Sequence, residues 1–195
     1  MENKKDMKNI RFELGRHFIE EGSYDLATQA LTKAIAIEPC NAQLFNCRGI
    51  AFGSNREYDK AISDFNMAIE INSKLAGVYN NRALSYWAMD MIEVALNDIN
   101  KAIELDSGVA VFFANRGLIQ YAKGNFQEAV LDYSIAILSG YTGIDALNGR
   151  GEAYAELGDY KKALHDFDQA LTLNPNDLVV FANRALVISL IEKQK

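Results

Sequence analysis

Residues 42–75 read AQLFNCRGIAFGSNREYDKAISDFNMAIEINSKL, and residues 144–177 read IDALNGRGEAYAELGDYKKALHDFDQALTLNPND. The two stretches share arginine-glycine near the start, alanine and aspartate-phenylalanine in the middle, and a polar end. When the whole chain is compared with itself at a shift of 34 residues, the same similarity returns without a gap. A fixed period of this length is typical of helical repeats.

The repeat consists of columns of small and large residues. The small columns are Ala27, Ala61, Ala95, Ala129 and Ala163; Ala34, Ala68, Ala102, Ala136 and Ala170; and Gly15, Gly49, Ala83, Gly117, Gly151 and Ala185. The large columns are Phe18, Phe52, Tyr86, Gln120, Tyr154 and Ile188; and Leu31, Phe65, Ile99, Tyr133 and Phe167. Small residues allow helices to cross closely, and large ones fill the adjacent space, so the columns predict packed pairs of helices.

This arrangement resembles the tetratricopeptide repeat. The resemblance implies an all-α fold, a right-handed superhelix of helical hairpins with a concave and a convex face, forming one domain over residues 1–195. The predicted repeats are 8–41, 42–75, 76–109, 110–143 and 144–177, followed by a terminal helix at 178–192. Glycines mark three of the turns inside the repeats, whereas Arg56 and Asp90 stand in the same column, which predicts that those two turns are strained or differently shaped.

Composition restricts the partners. The chain is 49% hydrophobic and 24% charged, with a net charge of −6, which suits a folded protein and disfavours nucleic acid, whose phosphates need a basic surface. The first residues, MENKKDMKN, lack the apolar run of a secretory signal, and no later run approaches a membrane span, so we expect a cytoplasmic protein without a membrane partner. Cys40 and Cys47 are expected to be reduced thiols and not a metal site.

No set of residues in the sequence indicates catalysis. The two histidines, His17 and His165, lie in different repeats and different columns, and the glycines recur at the repeat spacing and not as a phosphate-binding loop. We therefore expect no enzymatic activity, no cofactor and no bound metal.

Two charged columns accompany the repeat. Arginines occupy positions 48, 82, 116, 150 and 184, and aspartates occupy positions 64, 98, 132 and 166, whereas the first repeat has Leu14 and Ala30 there. Their joint absence from one repeat predicts that the columns meet as structural ion pairs; the alternative is a row of arginines that captures an acidic ligand. Pairing within a repeat leaves Arg184 without a partner, and pairing between repeats leaves Arg48 without one, and both arrangements stay open.

In the family, the first helix of each repeat lines the concave face. The resemblance therefore implies a peptide-binding groove that includes Asn46, Ile50, Asn80, Asn81, Leu84, Trp87, Asn115, Leu118, Tyr121, Asn148, Glu152 and Asn183. The asparagines are suited to the backbone of an extended peptide, and the apolar residues to its side chains. The alternatives are that the asparagines bond helices to one another and that Trp87 only packs.

The family's carboxylate clamp for acidic chaperone tails does not match. Its Lys, Asn, Asn, Lys and Arg positions are occupied by Phe12, Arg16, Cys47, Gly77 and Asn81. Shifting the comparison by one repeat aligns only Asn81. We therefore expect a ligand segment that is apolar and carries few charges.

The terminal helix is apolar nearly all round, which is unusual because an end of a repeat stack is expected to be polar. We expect Val180, Val187, Ile188 and Ile191 to be uncovered, because no second helix follows. Either a partner covers this face or the chain is part of something longer. A two-fold homodimer through residues 178–191 is the specific hypothesis.

Three functions are compatible with these features. The first is a scaffold or adaptor that binds an extended or helical protein segment in its groove. The second is a structural module that assembles with copies of itself through the terminal helix. The third is an adaptor for an enzyme on another chain, for which no residue argues directly.

Overall fold

The computed structural model describes residues 4–193 and their side chains from residue 9 onward. Within this range all regular structure is α-helical, as predicted. The contacts divide the chain into two compact units, one ending at Leu105 and the other beginning at Asp106. The single-domain organisation stays a prediction.

The first unit contains three helical hairpins. Its helices are α1 (Lys4–Glu20), α2 (Tyr24–Ile35), α3 (Ala42–Ser54), α4 (Tyr58–Ile71), α5 (Ala76–Ala88) and α6 (Ile92–Leu105). The second unit contains two hairpins and one further helix. Its helices are α7 (Ala110–Lys123), α8 (Phe126–Leu138), α9 (Ile144–Glu156), α10 (Tyr160–Leu173) and α11 (Leu178–Glu192). Odd-numbered helices are called first helices and even-numbered ones second helices. The terminal helix predicted at 178–192 is confirmed.

The small columns lie where the two helices of a hairpin cross. The alanines of both alanine columns are fully buried on the second helices. A Cβ added at Gly49 on α3 would lie 2.6 Å from Cε1 of Phe65 on α4. A Cβ added at Gly151 on α9 would lie at the same distance from Cε1 of Phe167 on α10. A methyl group at these glycines would therefore overlap a ring, which explains why the column holds only glycine and alanine.

The five turns inside the hairpins have one conformation. In the glycine turns, φ is 72° at Gly22, 84° at Gly124 and 76° at Gly158. At Arg56 and Asp90, φ is 62° and 61°. After each of these residues, the next amide donates to a carbonyl five residues earlier at 2.8–2.9 Å. The turns at Arg56 and Asp90 therefore have the same shape as the other three. The predicted strain arises because these two non-glycine residues adopt the left-handed conformation.

Glycine at either of these two positions should stabilise the protein. We expect Arg56→Gly and Asp90→Gly each to raise the free energy of unfolding by about 1 kcal/mol, because glycine adopts positive φ without a steric penalty. Both side chains are exposed, so their loss removes no core contact. Urea denaturation monitored by circular dichroism measures the change. The reverse substitution, Gly158→Arg, serves as the control and should lower stability by a similar amount; no change in all three variants would contradict the assignment.

Candidate functional site: the first-helix surfaces

The predicted groove residues of the first unit lie on α3 and α5. Ile50, Asn81, Leu84 and Trp87 are half-buried, with part of each side chain accessible to a ligand. Asn46 is also half-buried, whereas Asn80 is 7% exposed. The surface formed by these residues is called the α3–α5 surface.

The amide side chains on this surface bond to one another. Asn81 Nδ2 donates to Asn46 Oδ1 at 3.1 Å, and Asn80 Nδ2 donates to Asn81 Oδ1 at 3.2 Å. The same register recurs in the second unit, where Asn183 Nδ2 donates to Asn148 Oδ1 at 3.0 Å. These bonds match the alternative in which the asparagines tie neighbouring first helices together. These hydrogen bonds also hold each amide in one orientation. The amide hydrogens that make no bond within the protein therefore point in fixed directions.

An open cavity of about 300 Å³ lies in the α3–α5 surface. Its apolar walls are Ile50, Leu84 and Trp87, and Asn81 supplies an amide at the edge. Gly53 and Ser54 complete the α3 side. No Asp, Glu, Lys or Arg is among the residues that line it. This cavity, called the Trp87 pocket, suits an uncharged side chain.

Gly53 belongs to the groove lining that the resemblance implies, and it lies in the wall of the Trp87 pocket. It stands in one column with Ile19, Trp87, Tyr121 and Ala155, so its missing side chain leaves a gap beside the large Trp87. An added Cβ would be 3.7 Å from Ser85 Oγ, which is ordinary contact and shows that the space is real.

The first-helix surface of the second unit is more polar. Asn115, Leu118 and Tyr121 are half-buried on α7. The Tyr121 ring packs at a tilt against Phe126, with 5.4 Å between ring centroids. Burial raises the pKa of Tyr121, and the negative charges of Glu152 and Glu156 add to the effect.

Glu152 joins the asparagines of α9 and α11. Asn148 Nδ2 donates to Glu152 Oε1 at 3.2 Å, and Asn183 Nδ2 donates to the same oxygen at 2.5 Å. Within the second unit, Asn148, Glu152 and Asn183 are therefore brought together. The cluster is acidic and internally bonded, which distinguishes it from the uncharged Trp87 pocket.

The arginine and aspartate columns meet as bidentate ion pairs. Each arginine uses Nε and Nη2 to hold both oxygens of the aspartate 16 residues later, at 2.6–2.8 Å. The pairs are Arg48–Asp64, Arg82–Asp98, Arg116–Asp132 and Arg150–Asp166. Pairing thus occurs within a repeat, and the arginines are occupied as structural partners.

The same arginines also reach the preceding repeat. Nη1 of Arg48 donates to Thr32 Oγ1 at 3.0 Å, and Nη1 of Arg150 donates to Ser134 Oγ at 3.1 Å, each 16 residues earlier. Arg184 donates from Nε to Asp168, 16 residues earlier, at 2.6 Å. Arg48 and Arg150 therefore each connect their own second helix to the one before it.

The prediction that Val180, Val187, Ile188 and Ile191 are uncovered is wrong. Val180 and Val187 are 1% and 2% exposed and pack with Leu147 and Phe167, and Ile191 lies partly buried against the same cluster. Ile188 is half-buried. The reason is that these residues face the preceding hairpin. The uncovered apolar residues of α11 are Leu178, Val179, Phe181, Ala182, Ala185 and Leu186.

The remaining reactive side chains do not form a cluster. His17 and His165 are exposed on different units. Cys40 and Cys47 are free thiols, and burial raises the pKa of Cys47. Among the side chains that the structure describes, no three His, Cys, Asp or Glu residues are grouped as a metal ion would require. Between residues 4 and 193, none of the helices has both the length and the apolar character needed to cross a membrane.

Two segments of the chain match family models. Both models are described as "Tetratricopeptide repeat", and they match residues 76–108 and 144–177, which correspond to the third and fifth predicted repeats. No curated protein matches the sequence.

Many solved structures share the fold at low sequence identity. PilF of Pseudomonas aeruginosa is 16% identical, with a TM-score of 0.84 over 98% of this chain and 87% of that one. TTC0263, described as a thermophilic TPR protein of Thermus thermophilus, is 19% identical, with a TM-score of 0.78 over 93% and 98%. YrrB, described as a TPR protein with an unusual peptide-binding site, is 16% identical, with a TM-score of 0.69 over 90% of each chain. At these identities the likeness concerns the fold.

Proposed function

Because the chain is a tetratricopeptide repeat protein, we propose that it binds a segment of another polypeptide on its α3–α5 surface. Proteins built from these repeats are generally protein-interaction scaffolds and typically have no enzymatic activity of their own. A cytoplasmic location is part of the same proposal.

The observation that carries the proposal is the Trp87 pocket. An indole, an isoleucine and a leucine form the walls of an open cavity, although a folded protein gains by burying such side chains. Tryptophan is frequent among the residues that dominate binding energy, since it buries a large area and keeps one N–H donor. A ligand side chain that enters the cavity would remove this apolar surface from water.

The polar groups of the surface define the rest of the ligand. Asn81 and Asn46 present amide groups next to the apolar walls, and an amide can pair with either a peptide N–H or a peptide carbonyl. The pocket lining carries no charge, so an ionised ligand side chain would lose hydration without gaining a partner. We therefore propose an apolar segment with few charges. YrrB, whose description includes a peptide-binding site, supports peptide binding as a use of this fold.

Loss of the indole should abolish most of the affinity. Peptides selected from a display library against the full chain would be labelled and titrated by fluorescence anisotropy. We expect Trp87→Ala to weaken binding about 30-fold, because central aromatic contacts contribute about 2 kcal/mol or more. Leu84→Ala should weaken binding by a smaller factor.

The matched control is Met67→Ala on α4. Met67 is also an apolar side chain of the first unit, 39% exposed, but it does not line the pocket. Its replacement should leave affinity unchanged. Equal affinities for wild type, Trp87→Ala and Leu84→Ala, with circular dichroism confirming that all are folded, would refute the assignment.

Self-association through residues 178–191 is the second function that the sequence suggested. It would require a different face from the one predicted, because Val180 and Val187 belong to the core. Exposed Leu178, Phe181 and Leu186 keep this alternative open to test. Light scattering at micromolar concentration distinguishes a dimer from a monomer.

A further inference from the structure

An open cavity of about 420 Å³ lies in the second unit, between α8, the linker that follows it, and the hairpin of α9 and α10. Its apolar walls are Ile137, Leu147 and Leu173, one from each of these helices. Tyr141 in the linker adds an aromatic ring to the lining. No Asp, Glu, Lys or Arg is among the residues that line the cavity, so it offers no partner to an ionised ligand. It is called the Tyr141 cavity.

The equivalent place in the first unit is filled by a phenyl ring. Three repeats earlier, the three wall positions hold Ile35, Phe45 and Ile71. Phe45 is 7% exposed, and Ile35 and Ile71 pack against the core cluster to which it belongs. A cavity also opens there, but it is lined by Glu38 and other residues that do not include Ile35 or Phe45. In the first unit the ring of Phe45 therefore takes up space that is open in the second.

Leu147 explains the difference between the two units. The other first helices from α3 onward carry an aromatic residue in its column: Phe45, Tyr79, Phe113 and Phe181. Leu147 is 8% exposed and packs in the core with Phe167 and Val180, so the shorter side chain completes the core and leaves the volume beyond it open. An aromatic ring from a ligand would therefore fit where the chain elsewhere supplies its own.

The ring of Tyr141 is held in place by its neighbours. Its hydroxyl donates to Asp145 Oδ2 at 2.9 Å, which ties the linker to the first turn of α9. A Cβ added at Gly143 would lie 2.5 Å from Cε1 of Tyr141, so the ring lies directly against the backbone of this glycine. Because both contacts lie within the protein, the cavity has a pre-formed aromatic wall. Aromatic rings pack favourably on one another in offset or edge-to-face arrangements.

Polar groups at the cavity allow a hydrogen bond to a ligand. Thr142, Gln169 and Thr172 line it and are exposed. Thr172 Oγ1 donates to the carbonyl of Asp168 at 2.9 Å, and the Gln169 amide offers both a donor and an acceptor. Apolar walls, a volume of several hundred Å³ and a small number of polar groups are the usual make-up of a small-molecule site.

We propose that the Tyr141 cavity binds a free, uncharged aromatic molecule that carries a hydrogen-bonding group, such as a phenol or an indole. The ring enters the space beside Leu147 that Phe45 fills in the first unit, and it packs against Tyr141. Its hydroxyl or N–H binds the Gln169 amide. The site belongs to the second unit and is independent of the Trp87 pocket, which belongs to the first.

The test uses p-cresol, the free counterpart of a tyrosine side chain, as the probe. It is titrated into the full chain and followed by methyl carbon–proton NMR, which reports the cavity itself through Ile137, Leu147 and Leu173. We expect these methyl signals to shift and saturate with a Kd of about 1 mM or tighter, as suits a ligand of this size. Benzoate, a ring of similar size that carries a charge, should bind at least about tenfold more weakly.

Two substitutions make the test specific. Leu147→Phe introduces the ring that four other first helices carry, so it should preserve the fold, as checked by circular dichroism, and weaken p-cresol binding at least about tenfold by filling the cavity. Gln169→Ala should weaken binding of p-cresol about fivefold but leave binding of toluene, which has no hydroxyl, unchanged. The matched control is Gln127→Ala, which removes an exposed glutamine of α8 outside the cavity lining and should keep full affinity for both probes.

Three results overturn the proposal. Absence of saturable shifts in the three methyl signals excludes the site, and equal affinity of a folded Leu147→Phe variant excludes the space assigned to the ring. N-acetyl-tyrosinamide carries the same phenol on a peptide backbone; if it binds more tightly than p-cresol, the ligand is a tyrosine side chain of another polypeptide and not a free molecule. Trp87→Ala should leave the p-cresol shifts unchanged, so failure of one site is distinguishable from failure of the other.

Discussion

Asp166→Ala should lower the free energy of unfolding by about 3 kcal/mol, because it leaves a largely buried guanidinium without its partner. The Asp166 side chain is 2% exposed and accepts from Arg150 Nε and Nη2 at 2.7 and 2.8 Å, and Arg150 is itself 17% exposed. The hydrogen bond to Asp166 raises the pKa of Arg150, and burial opposes it. A guanidinium stays protonated in proteins even without a partner, so the substitution leaves a charge that is largely buried. Urea denaturation measures the loss.

Two further variants separate the buried pair from charge in general. Asp168→Ala, which removes a 56% exposed carboxylate from the same helix, should cost less than about 1 kcal/mol. The double variant Arg150→Leu with Asp166→Ala should recover much of the loss, because it removes both charges. The first repeat already has this combination, Leu14 and Ala30, at the equivalent positions. A double variant less stable than Asp166→Ala would contradict this account.

Gly49→Ala should destabilise the protein by about 1–3 kcal/mol despite the higher helix propensity of alanine. The added Cβ would lie 2.6 Å from Cε1 and 2.9 Å from Cδ1 of Phe65, which is 1% exposed and cannot move aside. Thermal or urea denaturation measures the change.

The third repeat supplies the rescue for this variant. Ala83 occupies the column of Gly49, and the residue opposite it is Ile99 in place of Phe65. Gly49→Ala combined with Phe65→Ile should therefore be more stable than Gly49→Ala alone. Gly53→Ala is the control on the same helix: its Cβ has space, at 3.7 Å from Ser85 Oγ, so it should stabilise by about 0.5–1 kcal/mol. Equal effects at positions 49 and 53 would show that packing is not the cause.

The repeat register predicted the fold because each column has a single physical cause. The residue opposite Phe65 or Phe167 must be glycine because a Cβ there would overlap the ring. The columns therefore predicted the hairpins and the terminal helix. The joint absence of the charged columns from the first repeat likewise predicted the ion pairs. Their direction was left open by the sequence, and Arg48, Arg82 and Arg150 indeed contact both their own second helix and the preceding one.

The error at α11 has a physical reason. This helix is apolar nearly all round, so periodicity alone does not identify its packed face. The columns held the necessary signal: Val180 aligns with Leu44 and Val78, and Val187 aligns with Ala51 and Ile119, all of which are buried. The Trp87 pocket was half predicted. The resemblance placed its large residues and Gly53 in the groove lining, but the cavity between them depends on how α3 packs against α5, which the columns alone do not give.

The indole N–H signal of Trp87, the single tryptophan, tests the central proposal most directly. In nitrogen–proton and methyl carbon–proton NMR spectra recorded during titration with a selected peptide, we predict that this indole signal shifts and saturates together with the methyl signals of Ile50 and Leu84. The methyl signals of Leu131 on α8 and Leu178 on α11 should stay in place. Saturable binding that leaves the indole signal unmoved would contradict the assignment of the α3–α5 surface as the site of ligand binding.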